Sequence, residues 1–173
     1  MENQANSKSI ILNYGLYLSI ITIFISLIKY ATGNLYVTEF YSGIAGIILL
    51  IVFVVLGIKK YKSANGGFLT FGQGVKIGIG VAMIATIIII IYYVLLSTVI
   101  EPDFVANTIE AQKTMFADTF GMTEGQIEEA TKNSEENFFL SMFGGILIWN
   151  LFVGGVTALI ASAAMKKSEE ETY

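Results

Sequence analysis

The groups in this 173-residue chain that could do chemistry are carboxylates and one run of glycines. Glu101 and Asp103 flank Pro102, the only proline, and Glu128, Glu129, Glu135 and Glu136 follow downstream. Paired carboxylates can divide acid and base work between them, or hold a divalent cation through oxygen. A calcium loop, however, alternates its oxygen ligands around a glycine turn, and none of these clusters has that pattern. They read as solvated acidic faces. Histidine and cysteine are absent, which removes the commonest general base, the commonest transition-metal ligand, thiolate chemistry and disulfides together. Gly72, Gly74 and Gly78 are spaced GxGxxxG rather than GxGxxG and follow a basic stretch rather than a strand, so they read as helix packing and not as a phosphate cradle. The sequence therefore predicts no catalytic residue, no cofactor and no metal site.

The elements that carry these groups are apolar. Hydrophobic residues make up 54% of the chain and charged residues only 14%, against about 25% charged in an ordinary soluble domain. The excess lies in four runs, 10–28, 37–58, 71–96 and 138–165. Each approximates the roughly 20 residues a helix needs to cross a hydrocarbon core. This predicts a single all-α integral membrane domain, with a two-helix insertion over 97–137 between the third and fourth spans. The first run is longer than a signal-peptide core and its exit, IKYATGN, lacks a small-x-small cleavage site, so it reads as a span.

Net charge is −4, but sidedness matters more than the total. Lys8 precedes the first run, Lys59, Lys60 and Lys62 are read as the loop between the second and third, and Lys166 and Lys167 follow the fourth. Lysines next to spans are retained in the cytoplasm, which predicts cytoplasmic N and C termini. Lys76, about one turn into the third helix, can snorkel to the same headgroups. The lysine cluster is short and juxtamembrane, so lipid headgroups account for it and a nucleic-acid partner is not expected. On the opposite side, Lys29 and Glu39 read as a snorkelling pair, and the insertion holds nine acidic residues against Lys113 and Lys132.

Two spans carry small residues every fourth position: Gly74, Gly78 and Ala82 on the third, Gly154, Ala158 and Ser162 on the fourth. Such faces let helices approach closely where lipid competes for apolar contact, and both are assigned to the bundle interior. Asn150 lies near the middle of the fourth span and needs a hydrogen-bond partner, for which Ser19, Thr22, Ser26 and Thr86 are candidates.

In the insertion, Pro102 marks a helix start, Phe104, Val105, Ile109, Met115, Phe116 and Phe120 share one arc of a helical wheel, and Gly121 ends the helix. Thr123 and Gln126 form a capping box for a second, mostly polar helix near 124–136. The apolar arc can lie on the rim of the bundle, on the lipid interface, or against an envelope partner. Its acidic surroundings disfavour anionic lipid.

The stretches NGGFLTFGQGVKIG, IEPDF and MTEGQIEEATKNSEE, ahead of a glycine-rich last helix, resemble the bacterial membrane-protein family called domain of unknown function 4199 (DUF4199). The most specific part is Gly67–Gln73, leading into the third span. The resemblance implies four membrane helices with an outer insertion, in the inner membrane where the host has two, and it brings no catalytic residue to transfer. The expected function is that of a non-enzymatic envelope or partner-binding protein that acts through the acidic insertion, with the lipid bilayer around it and an envelope protein or a second copy of the chain as partner. Two alternatives remain: a transport component with a solute route near Asn150 and Lys76, and a membrane enzyme using Glu101 or Asp103.

Overall fold

A computed structural model describes residues 6–37 and 40–167. Its described residues form six helices: α1 (Ser7–Ala31), α2 (Phe40–Ala64), α3 (Phe71–Leu95), α4 (Phe104–Phe120), α5 (Glu124–Glu136) and α6 (Phe138–Met165). Four of them, α1, α2, α3 and α6, are long and apolar enough to cross a membrane. Their outward faces carry large side chains such as Phe24, Leu140, Ile148 and Ile160, each more than 60% exposed. Water would not tolerate so continuous an apolar surface; hydrocarbon would.

The long helices pack around α3. It lies against α6 on one side and α1 on the other, while α2 touches all three. Its sequence explains the central position, because small residues occur on opposite faces. Gly74, Gly78 and Ala82 face α6, and Gly80 faces Ile11 of α1, where an added Cβ would come within 2.8 Å of the Ile11 side chain. Gly15 does the same from α1, against Ile84. The main core is aliphatic, built on Leu50, Val54, Ile58, Ile77 and Val81.

The two ends of the bundle differ. At one end α2 outlasts its apolar run, so Lys59, Lys60 and Lys62 lie on the helix and not in a loop, correcting the sequence reading. The chain then turns through Gly66 and Gly67 at φ +66° and +87°, a backbone region that suits glycine. Thr70 and Gln73 cap α3 reciprocally, with Thr70 N donating to Gln73 Oε1 at 2.9 Å and Gln73 N donating to Thr70 Oγ1 at 3.3 Å. Leu69 and Lys167 form a two-way backbone bridge, with N···O distances of 3.0 and 2.9 Å. Lys62 Nζ donates to the Met165 carbonyl at the end of α6, at 2.7 Å.

At the other end α3 widens into a π-type turn, Leu96–Ile100, closed by Glu101 N donating to Leu96 O at 2.8 Å. This turn redirects the chain into Pro102 and Asp103, and α4 starts at Phe104. Gly121, at φ +62°, ends α4, and the Thr123–Gln126 capping box starts α5. A single residue, Asn137, separates α5 from α6. The hairpin is fastened by a second, aromatic core in which Phe104 is the hub, with Tyr36, Tyr93 and Phe138 all within 6.2 Å between ring centroids.

Candidate functional site

Two places gather the residues singled out by sequence. The first is the seam between the antiparallel helices α3 and α6. Gly74 faces Ser162, Gly78 faces Ala158 and Gly154 faces Ala82. A Cβ added at Gly78 or Gly154 would lie 2.5 Å from the facing alanine methyl, and one at Gly74 would fall on the Ser162 hydroxyl. Each step of four up α3 is a step of four down α6. One step further, Asn150 Nδ2 donates to Thr86 Oγ1 at 3.1 Å, and Thr86 in turn donates to the Ala82 carbonyl.

Of the other candidate partners for Asn150, Ser19 and Thr22 bond their own helix backbone, and Ser26 accepts from the Tyr92 hydroxyl at 3.1 Å. Beside Asn150 is a cavity of about 250 Å³ that reaches Gly46 and Leu50 of α2, with Ile89 and Trp149 among its mainly apolar walls. Lys76 is exposed near the lysine-bearing end, away from this cavity. Ser162 is fully buried and its hydroxyl has no hydrogen bond.

The second place is the crevice where α4 lies over the turn between α1 and α2. Phe104 is 3% exposed at its inner end, and Val105 and Ile109 pack against the same aromatic core. Met115 lines the crevice, Phe116 is half-buried, and Phe120 is 64% exposed, its ring tilted against that of Phe116 at 6.1 Å between centroids. Two adjoining cavities, about 430 and 610 Å³, share Tyr36, Ala111 and Met115 as walls. The first runs inward over Leu35, Tyr93, Phe104 and Met142; the second runs along Asn107, Glu110, Thr114 and Asp118.

Tyr36, a residue that apolar periodicity does not single out, is central here. Its hydroxyl is buried without a hydrogen bond. Asn107 and Glu101 approach it, but the Asn107 amide makes instead a long 3.5 Å contact with Glu101 Oε1. Burial pushes the phenol pKa above its ordinary 10.0, a rise that Asn107 opposes and the Glu101 and Asp103 charges reinforce.

The acidic clusters remain apart. Among the described residues no three of His, Cys, Asp or Glu gather as a metal site would require. The one ion pair there joins the two hairpin helices, Lys113 Nζ to Glu135 Oε1 at 2.6 Å. It holds the Glu135 carboxyl below its ordinary value of 4.5, chiefly through the lysine hydrogen bond. Lys29 Nζ donates to the Val37 carbonyl at 2.9 Å; Glu39, its expected partner, lies outside the described residues.

Sequence reasoning passed over the Lys62 cap on α6 and the α1–α3 contacts at Gly15 and Gly80. It also passed over the Thr70–Gln73 capping box, although T-x-x-Q ahead of an apolar run signals one.

No curated protein and no solved structure matches the chain. A family match covers residues 13–167, from the first turns of α1 through the Leu69–Lys167 bridge. With four membrane-length helices and the capped approach to α3 in place, the chain belongs to the family described as protein of unknown function (DUF4199).

Proposed function

We propose that this is a multi-pass protein of the cell membrane, the inner membrane where the host has two, with both termini cytoplasmic. In this reading it is non-enzymatic and acts through the α4–α5 hairpin, which docks an envelope partner on the outer side. The observation that carries the reading is unspent negative charge. The hairpin end holds nine carboxylates, of which Glu135 alone makes an ion pair among the described residues, and seven of the ten lysines lie at the opposite end. A partner with a basic face complements that surface, and the positive-inside tendency places the lysine end in the cytoplasm.

A photo-crosslinking residue at Glu128, with identification of the adduct, tests the partner. A specific adduct that disappears on deletion of 103–136 is the expected result, and cellular associations untouched by that deletion would overturn the reading. Orientation is read separately, since the chain has no cysteine of its own. A membrane-impermeant thiol reagent should label Gly125→Cys on intact cells and leave Ser63→Cys unlabelled.

The cavity beside Asn150 supports a second reading, a transport component. Its apolar walls and the capture of the amide by Thr86 weigh against a hydrated path. Solute flux in proteoliposomes that falls with Asn150→Ala would favour it.

A further inference from the structure

We propose that the crevice under α4 is a lipid site that takes one acyl chain of a phospholipid in its apolar limb and an amino headgroup, as in phosphatidylethanolamine, in its acidic limb. The proposal needs only that the four long helices lie in lipid. It is independent of which side the hairpin faces and of any protein partner.

Three features of the crevice point to this occupant. Its two limbs, about 430 and 610 Å³, fall in the range of small-ligand sites, which is roughly 300–1,000 Å³. The limbs differ in charge, since carboxylates line only the outer one. Apart from the shared Ala111 and Met115, the inner limb is walled mainly by Leu35, Tyr93, Phe104, Phe138 and Met142 with uncharged polar groups between them, whereas Asn107, Glu110, Thr114 and Asp118 bring two carboxylates to the outer one. An amphiphile has the same division.

The charge of the outer limb selects among headgroups. Glu110 and Asp118 make no ion pair among the described residues, so an ammonium gains attraction there while the net negative charge of a phosphatidylglycerol is repelled. Where the limbs meet, Tyr36 keeps a buried hydroxyl without a hydrogen bond. A phenol in that state lacks an acceptor, and an uncharged ester oxygen of the lipid supplies one. The location agrees, because the crevice opens just beyond the end of the long helices, where headgroups lie.

The test is lipid retention by the full chain purified in mild detergent, measured by native mass spectrometry after exchange into equimolar phosphatidylethanolamine and phosphatidylglycerol. Wild type should retain the amino lipid at least tenfold over the anionic one. Glu110→Gln with Asp118→Asn should abolish the preference, and Ala111→Trp, which fills the shared wall, should abolish retention of both. Circular dichroism would confirm that each variant keeps its helices. Should a variant unfold, Tyr36→Phe serves in its place, and it should lower retention of both lipids without changing the fold. Equal retention of the two lipids by wild type, or undiminished retention by Ala111→Trp, overturns the proposal. So does occupancy of the crevice by a crosslinked protein segment that lipid fails to displace. Loss of the Glu128 crosslink alone would count against the docking reading and leave this site standing.

Discussion

Asn150 Nδ2 lies 3.1 Å from Thr86 Oγ1, one four-residue step beyond the Ala82–Gly154 contact, so this interhelical hydrogen bond continues the small-residue register of the seam. Truncating either partner leaves the other in an apolar setting. Asn150→Ala and Thr86→Ala should each destabilise the protein, and the double variant should cost less than their sum. The expected coupling is about 0.6 kcal/mol, the average for such bonds within membranes, and at most about 1.7 kcal/mol. Chemical unfolding in mixed micelles measures it; additive effects would mean the bond contributes nothing.

Ser162 and Gly78 should respond in opposite directions. The Ser162 hydroxyl is buried without a partner against Gly74, so Ser162→Ala removes an unsatisfied polar group and should stabilise by about 1 kcal/mol. Gly78→Leu drives a side chain into Ala158 and Val54, and overpacking of this kind costs about 1–3 kcal/mol or more. Thermal melts of the two variants in detergent would check both signs.

The contrast between that seam and the hairpin shows what a sequence can carry. A step of four along α3 and along α6 is visible as Gly74, Gly78, Ala82 and Gly154, Ala158, Ser162, because close helix approach requires small side chains at the helical repeat. Which of these meet, and that Thr86 rather than Ser26 takes Asn150, depends on register between helices far apart in the chain. On α4 the apolar arc anticipates Phe104 and Met115 along the crevice. It also includes Phe120, which projects beyond the bundle, and it leaves out Thr108, Ala111 and Gln112, which face the inner cavity. Periodicity records how apolar a face is but not how far the neighbouring helix extends beneath it. The lysine stretch shows the same limit: charge ends the apolar run, yet α2 continues to Ala64, and from its last turn Lys62 reaches the Met165 carbonyl, 103 residues away.

That contact has its own consequence. A cation at the C-terminus of a helix contributes about 0.3–1 kcal/mol, and Lys62 also holds α6 next to the turn that leads into α3. Lys62→Met should fray the last turn of α6 and weaken the Leu69–Lys167 bridge together. Amide exchange should accelerate at 163–167 and at 67–69, whereas Lys59→Met, on the exposed face of α2, should leave both segments unchanged.

The hairpin should loosen in acid through Glu135. Its carboxyl titrates below 4.5 in the folded protein because Lys113 donates to the charged form. A depressed carboxylate contributes stability that is fully present above its unfolded value and is lost as pH falls through the folded one, so the effect belongs to the interval below about 4.5. Both side chains are over 40% exposed, so salt should screen the pair. Spin labels on Ala117→Cys and Glu129→Cys would report the separation of α4 and α5. The distance distribution should broaden on acidification below pH 4.5, and Lys113→Met should already show the broadened distribution at neutral pH, with no further change in acid. If wild type and Lys113→Met broadened alike on acidification, another carboxylate would be responsible and the ion pair would not be what couples the two helices.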